Sequence, residues 1–148
     1  MSLKDRLTED LKQAMKAKEK KKLSTLRMIR SSLQNEQIKL GRALSEDEEI
    51  TVLSRELKQR KDSLQEYEKA GREDLAEGER ADIAVIQAYL PEPLSEEDLE
   101  RIVDEAIAET GAEEKGDMGK VMSVVMPRVK GKADGSHVNR LVQQKLSK

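Results

Sequence analysis

The sequence predicts an all-α protein, and three observations carry that expectation. Phe and Trp are absent and only two Tyr occur, so a core must be assembled from Leu, Ile, Val, Met and Ala. Such a core fits helices better than many short strands, which lean on aromatic residues. Charged residues make up 39% of the chain, with eight Gly and three Pro, a composition of long solvated helices. Apolar residues also recur at spacings of three and four along most of the chain.

The first helix is expected from about Lys4 to Lys18, with Leu3, Leu7, Leu11, Ala14 and Met15 on one stripe. The run Lys20-Lys21-Lys22 reads as the following turn. A second helix from about Leu23 to Leu40 turns Leu26, Ile29, Leu33, Ile38 and Leu40 inward, and Gly41 ends it. Ser45 and Glu48 have capping-box spacing and open a long helix to about Ala70. Its stripe is Ile50, Leu53, Leu57, Leu64 and Tyr67, and Gly71 stops it. A fourth helix from about Arg72 to Tyr89 buries Leu75, Ile83 and Ile86, with Gly78 weakening its middle by about 1 kcal/mol relative to Ala.

In Leu90-Pro91-Glu92-Pro93-Leu94 both prolines push the preceding residue out of the α region. We therefore expect an N-terminal helical bundle over 1–90, a Pro hinge over 91–94 and a small C-terminal helical domain over 95–148. Ser95 with Asp98 restarts helix, and Leu99, Ile102, Val103, Ala106 and Ile107 form a stripe closed by Gly111. Two short helices follow, about 118–129 and 136–146. Asp117 can cap the first, Pro127 should kink or shorten it, and Asp134 or Ser136 can cap the second. Met118, Val121, Met122 and Val125 share one buried face.

No catalytic constellation emerges, and neither a catalytic nor a cofactor-binding residue is assigned. Nucleophilic catalysis needs a nucleophile, a base and usually a group that orients the base. The single histidine, His137, has Ser136 pointing about 100° away on a helix, and reads as a partly exposed helix residue. With no Cys and one His, only carboxylates remain as metal ligands, and those lie in first helical turns where they complement the dipole. No cofactor or metal is expected. Gly116-Asp117-Met118-Gly119-Lys120 fails as a phosphate loop, because its glycine spacing is wrong and Val121 fills the Ser/Thr position. No apolar run approaches the roughly 18 residues that span a bilayer, and MSLKDRLTEDL lacks a signal-peptide apolar core. The expected location is cytoplasmic, without a membrane partner.

The net charge of −2 conceals an asymmetry: +6 over residues 1–30, −15 over 45–114 and +6 over 115–148. Such a chain either presents a positive face to a polyanion or docks its basic ends on its acidic middle. Basic residues cluster at Lys16, Lys18, Lys20 to Lys22, Arg27 and Arg30, then at Lys58, Arg60, Lys61 and Arg72, and finally from Lys120 to Lys132. They can neutralise phosphates without reading sequence. Scarce aromatics leave little on which to stack bases, so an RNA partner would be a structured one.

Several segments then carry a family resemblance. They are Leu26-Arg27-Met28, Lys58-Gln59-Arg60-Lys61-Asp62-Ser63, Tyr67 through Ala70-Gly71-Arg72 to Asp74-Leu75-Ala76 and Glu79, Tyr89-Leu90-Pro91, and Asp117-Met118-Gly119-Lys120 through Gly131-Lys132-Ala133-Asp134-Gly135 to Val138-Asn139. In this order they resemble the YqeY family, whose pattern is shared with the C-terminal region of GatB, the tRNA-handling subunit of the glutamine-dependent aminoacyl-tRNA amidotransferase. The resemblance implies an all-helical pair of subdomains and a part in holding tRNA. The glutaminase belongs to another subunit and the kinase activity to the N-terminal portion of GatB, so a carbon–nitrogen ligase role is inherited by similarity alone. The expected function is a non-catalytic tRNA-binding or tRNA-metabolism accessory module. Lys120, Arg128, Lys130 and Lys132 would contact phosphates with Asn139 nearby, and Lys58, Arg60 and Arg72 would supplement them. The alternatives are a helical protein-interaction adaptor, offering the acidic middle or Met118, Met122 and Met126 to a protein partner, and a glutamine-using ligase component. The expected partners are tRNA, a tRNA-modifying complex or that protein partner.

Overall fold

Aliphatic stripes at helical spacing become helices throughout. The computed structural model describes residues 2–147. Over these residues it contains seven α-helices, a short 3-10 turn and no strand, so the fold is all-α. The helices are α1 (Leu3–Lys16), α2 (Lys20–Leu40), α3 (Glu46–Lys69), α4 (Glu73–Gln87), α5 (Glu96–Thr110), α6 (Met118–Val129) and α7 (Gly135–Leu146), with the 3-10 turn at Lys115–Asp117. The Ser45 capping box forms as expected: Ser45 Oγ accepts from Glu48 N–H at 3.2 Å, and Glu48 accepts from Ser45 N–H at 3.0 Å. Contacts group the chain into two units, the first ending at Leu90 and the second beginning at Pro91.

In the first unit, Leu7, Leu11 and Ala14 of α1 meet Leu26, Ile29 and Leu33 of α2, Val52 and Leu53 of α3, and Ile86 and Tyr89 at the end of α4. A polar network fastens the same helices. The buried carboxylate of Asp82 accepts from Thr25 Oγ1 at 2.6 Å and lies 3.5 Å from Lys21 Nζ and 3.9 Å from Arg60 Nη1. Arg60 also reaches Glu79 at 3.5 Å, so α2, α3 and α4 share one cluster of charge. The buried Tyr89 hydroxyl donates to Asp10, and the Arg6 guanidinium lies 5.0 Å above its ring while donating to the Ala88 carbonyl at 2.9 Å. Burial, followed by the neighbouring Asp10, pushes the Tyr89 phenol well above its usual range.

Several expectations for this unit need correction. Lys20 to Lys22 are not the turn but the first turn of α2. The reversal falls on Ala17, Lys18 and Glu19, with Lys18 left-handed at φ 57°. Ile38 and Leu40 are 79% and 40% exposed rather than inward. Ile38 lies five residues past Leu33, about 140° round the helix from it and off the buried stripe. Leu40 is in phase but sits in the last turn of α2, which at 21 residues outruns the 14 of α1. Met15 follows the buried Ala14 by one residue and is therefore turned outward, 54% exposed. Leu75 is likewise 39% exposed: it is in phase with Asp82 and Ile86 but lies in the first turn of α4, at the end of the helix.

In the second unit, Leu99, Val103 and Ala106 of α5, Val121, Val125 and Val129 of α6, and Val138, Leu141, Val142 and Leu146 of α7 form a separate core. Met118, Met122 and Met126 are half-buried against it. Pro127 does not shorten α6, which runs on to Val129. In the last turn a proline forgoes one backbone bond, and the fully buried Val129 holds that turn in place.

Two predictions follow from these contacts. Removing the Asp82 carboxylate takes the shared acceptor from the buried Thr25 hydroxyl and the half-buried Arg60, so Asp82→Ala should lower unfolding stability in urea by about 1–3 kcal/mol, and an unchanged midpoint would refute the network's role. Arg42 grips Glu48 through two bonds of 2.6 and 2.8 Å and, with the Ser45 N–H, holds its carboxyl down at about 2. Stabilisation from this corner is therefore complete above the ordinary carboxyl value of 4.5 and disappears as pH falls through about 2. An NMR titration should place Glu48 near 2 and show it rising toward the ordinary range in Arg42→Ala, which leaves only the Ser45 bonds in place.

Candidate nucleic-acid interface

The basic segment between α6 and α7 is a tightly bonded corner. Val121, Val125 and Val129 commit one face of α6 to the core, which turns Lys120 and Arg128 outward. The chain then makes a type II turn over Val129 to Lys132. Lys130 has φ −53° and ψ 123°, Gly131 has φ 75°, and Lys132 N–H donates to Val129 C=O at 2.8 Å. Leu94 N–H donates to the Lys132 carbonyl at 2.9 Å, fixing the far side of the turn. Asp134 then caps α7 by accepting from Ser136 N–H at 3.0 Å. On α7, burial of Val138, Leu141 and Val142 leaves Asn139 on the exposed side.

The cations of this corner differ in what they already hold. Arg128 donates to both carboxylate oxygens of Glu109 on α5, at 2.8 and 3.1 Å. Lys120 lies 3.7 Å from Asp117. Asp117 does not cap α6 as expected: its carboxylate accepts from the N–H groups of Glu113 and Glu114 at 3.0 and 3.4 Å, closing the 3-10 turn. Those two bonds hold its carboxyl below the usual range, with a smaller contribution from Lys120. Lys130 and Lys132 are exposed and meet no carboxylate among the described residues. His137 is paired with Glu96 across 2.8 Å at the surface.

The first-unit residues are tied more closely. Lys58 faces Asp62 one turn on, at 3.7 Å. Arg72 precedes α4 and is forked onto Asp74 at 3.2 and 3.3 Å, which holds the Asp74 carboxyl below its usual range. Arg60 is half-buried and committed to Glu79 and Asp82. Sequence reasoning missed the Asp82 cluster itself. Its signal was an acidic pair, Glu79 and Asp82, sitting on the α4 face that also carries Ala76 and Ile86. Among the described residues, no group of three His, Cys, Asp or Glu could hold a metal ion.

With this geometry in hand, comparisons place the chain among known proteins. Residues 4–146 match the family described as Yqey-like protein. The chain is similar to the Altered inheritance of mitochondria protein 41, mitochondrial, of Pyrenophora tritici-repentis, at 34% identity over 144 residues, covering 94% of this chain and 78% of the relative. The Saccharomyces cerevisiae protein of the same name is 30% identical over 126 residues, covering 80% of this chain and 68% of that protein. For the Vanderwaltozyma polyspora protein the figures are 40% over 85 residues, covering 57% of this chain and 46% of the relative, so there the match spans under half the relative's length. All three relatives are named as mitochondrial, which overturns the cytoplasmic location expected above. A missing signal-peptide core and a missing spanning run leave every aqueous compartment open, so they could not carry that expectation.

The corner yields a stability prediction. An L-residue in the left-handed region costs roughly 1–2 kcal/mol, so Gly131→Ala should destabilise the chain by about that much in urea unfolding. Unaltered stability would show that the turn is not held as described.

Proposed function

Since the chain belongs to the Yqey-like protein family, we propose that it is a non-catalytic accessory module that binds tRNA through the α6–α7 corner. The observation that carries this reading is the pair Lys130 and Lys132, exposed on a hydrogen-bonded turn and without a carboxylate among the described residues. A turn whose backbone is already fixed has less to order on meeting phosphates, and lysine contacts release counterions from the polyanion. Arg128 joins by exchanging Glu109 for a phosphate, and Lys120 and Asn139 flank it on the exposed sides of α6 and α7. Lys58 and Arg72 supplement the contact only by giving up Asp62 and Asp74, and Arg60 acts by holding its helices together.

The resemblance to the GatB C-terminal region, which helps hold tRNA, supports the same partner. With two Tyr and neither Phe nor Trp, the chain has little with which to stack splayed bases, so a folded RNA read by its backbone fits best. The acidic middle, at −15 over residues 45–114, repels nonspecific polyanion contact elsewhere on the chain. The second reading is a protein-interaction adaptor, favoured by Ile38, which is 79% exposed at the end of α2. A ligase acting alone has no support from the residues: the one histidine is spent on a surface hydrogen bond with Glu96.

The test is a titration of mixed tRNA against the full chain at low and moderate salt. Wild-type protein should bind with an affinity that falls as salt rises. Lys130→Gln with Lys132→Gln should reduce the magnitude of the log–log salt slope by about 2, one for each lost phosphate contact. No tRNA binding at low salt, or an undiminished slope in the double variant, contradicts the proposal.

A further inference from the structure

Helix α2 carries a second cationic surface that the tRNA reading did not use. Its core-facing half is Leu26, Ile29 and Leu33. From Lys20 to Asn35 it contains five Lys or Arg and no Asp or Glu. The exposed residues over this stretch include Lys20, Lys21, Lys22, Arg27 and Arg30, the others being Ser, Gln or Asn, with no apolar residue among them. Lys20, Ser24, Arg27 and Ser31 follow one another at spacings of four, three and four, so they share a face. They cover about 16 Å of helix, a length that meets several successive phosphates.

The nearby carboxylates are spent elsewhere. Asp82 takes Lys21 and the Thr25 hydroxyl, Glu56 of α3 takes the Ser32 hydroxyl at 2.9 Å, and Glu36 takes Arg55 at 3.4 Å. Glu19, in the turn before α2, is the exposed carboxylate beside the patch. Arg42, Arg72, Arg80 and Arg128 each hold a carboxylate, whereas Arg27 and Arg30 hold none among the described residues. Local stability gives no reason for the arrangement, since three lysines in a first turn oppose the helix dipole.

We propose that this face of α2 is a second RNA-contact surface, docking on the phosphates and ribose hydroxyls of a double-helical stem. It rests on the reading of the chain as a tRNA-binding module and adds a separate surface on the first unit. Lys and Arg supply charge, and the Ser hydroxyls supply the short donors and acceptors common in backbone contacts. A membrane surface is the wrong partner, because a helix that lies in the interface needs an apolar face to bury and α2 turns its apolar face into the core.

The test compares the full-length wild type, Arg27→Gln with Arg30→Gln, and Lys130→Gln with Lys132→Gln. The probes are mixed tRNA, a plain RNA stem-loop and vesicles containing phosphatidylserine, and circular dichroism verifies equal helicity. The Arg27/Arg30 variant should bind tRNA and the stem-loop about tenfold more weakly, with the salt-slope magnitude reduced by about 2. Wild-type binding to RNA with an unchanged Arg27/Arg30 variant overturns this surface and leaves the α6–α7 corner standing. Absence of RNA binding by the wild type overturns both. Wild-type capture by vesicles with no affinity for the stem-loop also overturns the α2 surface.

Discussion

The burial of Asp82 is the constraint on which the first unit depends. A carboxylate taken out of water between helices is costly unless donors and cations surround it. Thr25, Lys21 and Arg60 supply them from α2 and α3, so the helices must adopt the one arrangement in which all three reach α4. Tyr89 plays a similar part just beyond the C-terminal end of α4, where Asp10 and Arg6 lock its ring against α1. With no Phe or Trp to give the core a distinctive shape, these polar fixtures supply much of the specificity that aliphatic packing lacks.

Ion pairing likewise divides the basic residues into three kinds. Arg60 and Lys21 are used by the fold, Arg72 and Arg128 are occupied by carboxylates, and Lys130 and Lys132 are left open. The division changes how the family resemblance is understood. Arg60, Tyr89, Gly131 and Asp134 all lie in segments that carry the resemblance, and each has a structural duty: an ion-pair network, an anchor to α1, a left-handed turn position and a helix cap. Shared residues of that kind report the fold. The open lysines are where a functional argument has to start.

Much of the fold was legible because its signals are local. The Ser45–Glu48 capping box, the glycine stops at Gly41 and Gly111 and the three-and-four stripes involve residues within a turn or two of one another. What escaped was decided between helices. Thr25 and Asp82 are 57 positions apart, and nothing near either residue announces the other. Leu40 keeps the phase of the α2 stripe, yet it is 40% exposed because it lies in the last turn of a helix longer than α1. The charge pattern marked where cations gather but not which of them were already paired, and so it gave Arg60 and Lys130 the same weight.

Lysine reactivity measured with and without mixed tRNA addresses the central claim most directly, because each side chain reports its own contact. Acetylation read by mass spectrometry should fall at Lys130 and Lys132 when tRNA is bound and stay unchanged at Lys145, which pairs with Asp104. Equal reactivity of Lys130 and Lys132 in the presence and absence of bound tRNA would contradict the account.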